Sequence, residues 1–364
     1  MRIAIDSREI RGTAGKARYV RELILALSKI DQENEYFLYV WEKPEMDLAA
    51  NFEFITLPKD KIRLLWLRHD LKTRGIDVFL SPTGYHPVIF SSVPSVLVVH
   101  DLAVFVDPHS RPELKTMLIE KLSLPWALSR ANHIISDSEN TRQDIIRRFG
   151  TSQAKITTVL LSAFEHSKQM RSDNEVREKY HLPERFVLYV GTLEPRKNVD
   201  GLVYSYAGLD KGLREKYPLV LAGRRGWHYE AIDEAIRKSG LGKTIIETGY
   251  LEDGDLPAIY KMATAFAYPS WYEGFGLPPL EAMGYGVPVV TSNTSSLPEV
   301  VGDSAFLVDP SDEKELTQAL EKLLTSGKLR EKLILQGKRQ AEKFSWVKSA
   351  TETLEILKKV GKHG

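Results

Sequence analysis

The chain reads as an α/β protein of two domains, each a parallel sheet wound with helices, and three observations lead there. At 364 residues it is longer than a single hydrophobic core ordinarily supports. Short apolar runs, each followed by a loop and then by apolar residues at helical spacing, recur in both halves. Between Ser162 and Pro183 polar residues and one short helical piece break this rhythm, and it restarts at Phe186. The expected organisation is therefore a first domain over 1–165, a linker over 166–184 and a second domain over 185–344.

Composition narrows the class. Lys and Arg number 50 against 49 Asp and Glu, a formal charge of +1, so no global field argues for nucleic acid. The absence of cysteine excludes disulfides, thiolate catalysis and Cys-ligated metal. The opening MRIAIDSREI has no signal-peptide hydrophobic region. No run approaches the roughly 18 apolar residues of a membrane span, so a cytoplasmic enzyme is expected.

Met1 to Ile5 reads as a strand, followed by a loop containing Gly12, Thr13 and Gly15 and then by a helix over Lys16–Ile30, with Tyr19, Leu23 and Leu27 on one face. Two glycines at a strand-to-helix loop suit a phosphate, but they equally suit a surface turn. Strands follow at Tyr36–Val40, Phe52–Leu57 and Asp77–Ser81, with a helix over Lys61–Arg74. The basic, aromatic stretch Lys61–His69 fits either a solvated helix packed on the sheet or a membrane surface. Ser95–Asp101 is a continuous apolar strand ending in His100 and Asp101, the pattern of a strand buried on both faces. Ligands collect beyond the carboxyl ends of such strands, so His100 is either a ligand-facing group or a strand cap, and Asp101 orients it or the loop that follows. A helix over Pro112–Arg130, a strand at His133–Asp137, a helix over Thr141–Phe149 and a strand at Ile156–Leu161 complete the first half.

The second half opens with the buried strand Phe186–Gly191, then Thr192-Leu-Glu-Pro-Arg196-Lys197-Asn198 and a helix. A basic pair at the mouth of a strand-to-helix loop can stabilise charge on a leaving diphosphate, although exposed basic pairs are common. Further strands are expected at Leu219–Gly223, Thr244–Tyr250, Ala265–Tyr268, Val287–Ser292 and Ala305–Val308. Helices are expected at Tyr229–Ser239 and Leu256–Met262, and an amphipathic helical stretch starts at Asp312. Ser345 is a candidate N-cap for a last helix over Trp346–Val360.

The most informative stretch is Ala265–Thr291. A strand ending at Pro269-Ser270 leads into Trp271-Tyr-Glu273-Gly274-Phe275-Gly276 and then into a helix starting at Leu277-Pro278-Pro279, with Glu281 on its first turns. The glycines let a backbone approach a ligand, and the free amides of the helix start attract an anion. A carboxylate beside a diphosphate is repelled unless it reaches past it to sugar or ribose hydroxyls. Glu281 alone also fits a helix-start acid complementing the dipole.

With its two glutamates separated by seven residues, this segment resembles the signature of retaining glycosyltransferases of the GT-B fold, in the large family 4 group. The resemblance implies two Rossmann-like doubly wound domains with an interdomain cleft, the final helix, 345–364, crossing back to the first domain. It implies that Glu273 holds donor-sugar hydroxyls and Glu281 the ribose, that Arg196 and Lys197 hold the diphosphate, and that His100 faces the donor sugar. Gly12, Thr13 and Gly15 would touch the diphosphate, Leu251 would lie in the loop that holds the base, and Gly274, Phe275, Gly276 and Leu277 would present the loop and the first helical amides. Many relatives carry Gly-Gly-Ile-Gly where this chain has Gly-Thr-Ala-Gly, and Arg where it has Thr192.

No Asp-X-Asp metal motif lies between a strand and a loop, so a metal-independent enzyme with no cofactor is expected. The string Gly-Thr-Leu-Glu-Pro-Arg-Lys-Asn looks like that of mannosyltransferases, pointing to GDP-mannose as donor. The implied activity is transfer of a hexose from a nucleotide-diphosphate sugar to a glycan or lipid-linked acceptor in cell-surface polysaccharide synthesis, with at most peripheral contact at the inner membrane face. An epimerase or sucrose-type synthase of the same fold, and a silent nucleotide-sugar-binding protein, are the alternatives.

Overall fold

The computed structural model describes residues 1–12, 15–59, 62–110, 114–163 and 171–362. The chain forms two compact units: Met1–Val106 with Glu113–Leu161 and Ser345–Gly364, and Ser162–Phe344 with Asp107–Pro112.

The first unit is built on seven strands: β1 (Arg2–Asp6), β2 (Glu35–Val40), β3 (Phe52–Thr56), β4 (Val78–Ser81), β5 (Ser95–Val99), β6 (His133–Ser136) and β7 (Ile156–Thr158). Their order is β3-β2-β1-β4-β5-β6-β7, and the pairings are parallel. β4, β5 and β6 are buried along their whole length, which is why they read as unbroken apolar runs. The chain winds outward from β1 to β3 and then returns to β4 on the other side of β1, so the winding reverses between β1 and β4. The last helix, Trp346–Lys362, lies on the helix Gly15–Ile30, and the Trp346 ring meets Tyr19 edge-on at 5.9 Å.

The second unit holds β8 (Val187–Val190), β9 (Leu219–Ala222), β10 (Ile245–Gly249), β11 (Ala265–Tyr268), β12 (Val289–Ser292) and β13 (Phe306–Val308). The order is β10-β9-β8-β11-β12-β13, again parallel, with its reversal between β8 and β11. In open α/β sheets ligands bind beyond the strand carboxyl ends at this reversal.

Of the segment 166–184, residues 166–170 lie outside the described residues, and the remainder belongs to the second unit and includes the capped helix Asp173–Lys179. Buried Asp255 holds it there, accepting hydrogen bonds from Arg171 at 2.7 and 2.8 Å, Lys179 at 2.8 Å and Tyr180 at 2.7 Å. These partners are more than 70 positions from Asp255, so no local pattern reveals that the stretch is docked. Three short helices, Tyr85–Ile89, Ala103–Val106 and Lys211–Lys216, also escape a periodicity reading, because fewer than two turns do not display a 3.6-residue repeat. Among the described residues no helix is long and apolar enough to cross a membrane.

Candidate active site

In the second unit the loops after β8 and β11 meet at the reversal of the sheet. After β8 the chain passes Gly191 and forms a tight turn over Pro195–Lys197. The turn ends at Asn198, which adopts the left-handed conformation and anchors its side chain to the Pro310 carbonyl at 2.8 Å. Backbone packs on backbone here: a Cβ at Gly223, after β9, would lie 1.8 Å from the Gly191 oxygen. After β11 the chain gives Pro269, Ser270 and the glutamate loop. Trp271 N–H donates to the Arg196 carbonyl at 2.9 Å, tying the two loops together.

Glu273 is buried where these loops meet. Its Oε1 accepts from Lys197 Nζ at 2.6 Å, Ser270 Oγ at 2.7 Å and Tyr268 Oη at 3.0 Å, and its Oε2 accepts from Arg196 at 3.2 Å. Lys197 also donates to Tyr268 Oη at 2.7 Å, while Arg196 reaches the Tyr272 carbonyl at 2.7 Å and Glu194 at 3.1 Å. The loop backbone is held by Ser295, which accepts from Glu273 N–H at 3.0 Å, and by Ser296, which donates to the Glu273 and Phe275 carbonyls at 3.0 and 2.6 Å.

These contacts set the electrostatics. Burial by itself would raise the Glu273 pKa, but Lys197 and Arg196 outweigh it and hold the carboxyl at about 2. It is therefore ionised at any working pH, an acceptor of hydroxyl hydrogen bonds rather than a proton donor. Burial, with the neighbouring Arg196, draws the Lys197 ammonium below its ordinary value, while Glu273 opposes that shift. Burial also pushes the Tyr268 phenol well above its usual range, so that it stays a neutral donor. Two cations, Glu273 and Glu194 thus make a nearly balanced cluster.

The helix Leu277–Gly284 starts directly behind the loop, with Gly276 as its N-cap at φ 116°. A Cβ there would meet Leu297 Cδ2 at 2.8 Å, so both conformation and space require glycine. Leu277 is the first helical residue, and the Phe275 ring packs edge-on against Phe344 at 5.8 Å. Glu281, on the same helix, is buried and accepts from Tyr260 Oη at 2.8 Å. Leu251 is buried just after β10. The loop thus gathers Arg196, Lys197 and Glu273 into one hydrogen-bonded group, whereas Glu281 is held separately, by a tyrosine from the helix Leu256–Met262.

His100 belongs to the first unit, at the end of β5. Its Nδ1 lies 2.6 Å from Asp137 Oδ2 and its Nε2 2.6 Å from the Pro82 carbonyl. A carbonyl only accepts, so Nε2 carries a proton. The partner that orients the ring is Asp137, after β6; Asp101 instead caps the following turn, accepting from Ala103 N–H at 2.9 Å. Gly12 N–H donates to the Glu9 carbonyl at 2.8 Å, Gly15 opens the first helix, and Thr13 lies outside the described residues. Among the described residues no group of three or more His, Asp and Glu side chains could hold a metal ion.

Sequence reasoning missed Tyr268, Ser270, Ser295, Tyr260 and Asp137. For Tyr268 and Ser270 a signal exists, since hydroxyl side chains at the carboxyl end of a buried strand, beside an acid, stand where a polar network needs donors.

Known proteins resemble this chain in sequence and in fold. The family of glycosyl transferases group 1 matches residues 171–340. The chain is 38% identical over 300 residues to the O-antigen chain mannosyltransferase B of Escherichia coli, covering 81% of this chain and 77% of that protein. It is 32% identical over 270 residues to the serotype-specific mannosyltransferase WbdA of Escherichia coli, covering 72% of this chain but 33% of that longer protein. The sucrose-phosphate synthase of Thermosynechococcus elongatus superposes with a TM-score of 0.78 at 21% identity, over 100% of both chains, which establishes the fold. Two parallel-sheet α/β units of this kind make the GT-B fold. The chain belongs to the group 1 glycosyl transferases.

Proposed function

We propose that this glycosyltransferase moves a mannosyl residue from a nucleoside-diphosphate donor, GDP-mannose, to a saccharide acceptor on a lipid carrier during cell-surface polysaccharide assembly. Support for the sugar comes from its kinship with the O-antigen chain mannosyltransferase B. The convergence of Lys197, Arg196 and Glu273 at the reversal of the second sheet carries the chemistry.

The diphosphate lies against Lys197, Arg196 and the amides at the Gly276–Leu277 helix start, all of which stabilise the charge that develops as the bond from anomeric carbon to phosphate oxygen breaks. Lys197 uses two of its three donors on Tyr268 and Glu273, leaving one for a phosphate oxygen. Glu273, permanently ionised, accepts from donor-sugar hydroxyls and fixes the orientation of the anomeric carbon. Glu281, positioned by Tyr260, takes the ribose hydroxyls, and Leu251 borders the base. In the first unit His100, oriented by Asp137, can exchange the Pro82 carbonyl for a substrate oxygen as the acceptor of its Nε2 proton.

With the cationic work done by side chains, the reaction runs without a metal. The acceptor hydroxyl attacks from the face the diphosphate leaves. Its oxygen bonds to the anomeric carbon, its proton passes to the departing phosphate oxygen, and the anomeric configuration is retained. Contact with the inner membrane face brings the acceptor within reach.

The test is a thermal-shift and transfer panel across GDP-, UDP- and ADP-sugars, with the product linkage read by proton NMR. Stabilisation by GDP and an α-linked mannosyl product support the reading, since a ligand at 100-fold its dissociation constant adds about 2.7 kcal/mol. Turnover of donor without any acceptor dependence would overturn it in favour of an isomerising enzyme.

A further inference from the structure

We infer that the helix Leu114–Arg130 is an in-plane contact for an anionic lipid bilayer. This helix is apolar on two sides. One side carries Leu124, Ala127 and Leu128 into the core beside Val88, Leu97 and Ile134. The other side is exposed, with Leu114, Leu118, Leu122 and Trp126 four positions apart and Ile119 beside them; Leu122 is 75% and Trp126 60% accessible. Residues four apart share a helix face, so the stripe runs for about 18 Å at 1.5 Å per residue.

A helix apolar all round is ordinarily covered on every side. Of the twelve large apolar side chains exposed among the described residues, five are on this one helix, so the stripe is a local feature rather than the scatter normal to a surface.

Charge identifies what covers it. The exposed face also carries Lys115, Lys121 and Arg130, none of them in an ion pair among the described residues. The one acid of the helix, Glu120, points inward. Burial raises its pKa, with Asp101 adding to the shift and Lys16 opposing it. Leucine and tryptophan interleaved with cations that make no ion pair among the described residues, on a helix with no exposed acid, match the interface of a bilayer bearing negative headgroups. A second copy of the same face is disfavoured, since two-fold pairing of one patch would set these cations against their own equivalents.

Placement joins the surface to the reaction. The inner side of the helix packs on the short helix Tyr85–Ile89 that follows β4, and Glu120 faces Asp101 and Lys16, close to the strand ends that carry His100. A bilayer on the outer side therefore lies one helix diameter from those strand ends, where a lipid-carried acceptor would be presented. The inference rests on the proposed lipid-linked acceptor for its purpose, but not for its test. Vesicle binding can fail while sugar transfer stands, and the reverse holds equally.

The experiment is co-sedimentation of the full chain with vesicles of phosphatidylglycerol and phosphatidylcholine, against phosphatidylcholine alone. The expected result is binding to the anionic vesicles that weakens with salt. The double variant L118E/L122E should lose it, while K115Q/K121Q should lower partitioning by about twenty-five-fold, at roughly fivefold per cation. Circular dichroism and nucleoside-diphosphate binding, which this face does not touch, should match the parent and show that both variants are folded. Absence of wild-type binding to anionic vesicles at low salt overturns the inference. So does undiminished binding by L118E/L122E, or a wild-type dimer that this variant dissociates with vesicle binding intact.

Discussion

Lys197 Nζ and Glu273 Oε1 stand 2.6 Å apart, although 76 positions separate them along the chain. They follow β8 and β11, strands that are neighbours only because the winding of the sheet reverses between them. The pair puts a cation and an ionised carboxylate within one hydrogen bond. Each keeps the other charged in a place where burial would otherwise discourage it.

On the proposed assignment Glu273 competes with a diphosphate for Lys197 and Arg196, so Glu273→Gln should bind nucleoside diphosphate as tightly as the parent or more tightly, yet lose turnover by about a hundredfold or more. Calorimetric titration with the nucleotide, alongside steady-state transfer rates, separates the two effects. Retained turnover would remove Glu273 from the chemistry.

The same carboxyl makes stability depend on pH. Its folded pKa of about 2 lies below the ordinary 4.5, so the unfolded chain binds the proton first as pH falls. The stabilisation is fully present above about pH 4.5 and is lost as the pH drops toward 2, a window worth about 3 kcal/mol at 1.36 kcal/mol per unit. Acid-unfolding curves of the parent should fall more steeply through that window than those of Glu273→Gln. Coincident slopes would show that the pair does not protect the fold.

Gly276→Ala forces a side chain into the left-handed region and against Leu297. The expected cost is about 1–3 kcal/mol, with a larger proportional loss of turnover than of stability, since the distortion falls between Glu273 and the helix amides. Thermal melts and transfer assays on one preparation compare the two losses.

Asp255→Ala removes the acceptor shared by Arg171, Lys179 and Tyr180. Because the two cations are partly exposed, the loss should be about 2 kcal/mol, with the helix Asp173–Lys179 released first. Hydrogen exchange of residues 173–179 checks this, and unchanged protection there would refute it.

Much of this was legible from local pattern. The run Ser95–Asp101 foretold a strand buried on both sides, since parallel sheets sandwiched by helices leave no polar face. Pro278 and Pro279 after Gly276 foretold a helix start, because proline costs nothing where amides have no partner. The glutamate spacing foretold the family. The register of the loops was not legible, nor were the tyrosine and serine hydroxyls that complete the shell of Glu273, nor the role of Asp137 rather than Asp101 beside His100.

The sequence by itself therefore determined the elements and the kinds of group available, because helical and strand periodicities, caps and glycine loops act over a few residues. Only the tertiary structure decided which groups meet. Lys197 with Glu273, Tyr260 with Glu281, His100 with Asp137 and Arg171 with Asp255 are joined by the crossing order of strands and by carboxylates that gather donors from distant segments. Such pairings are set by burial of charge, which has no period in sequence.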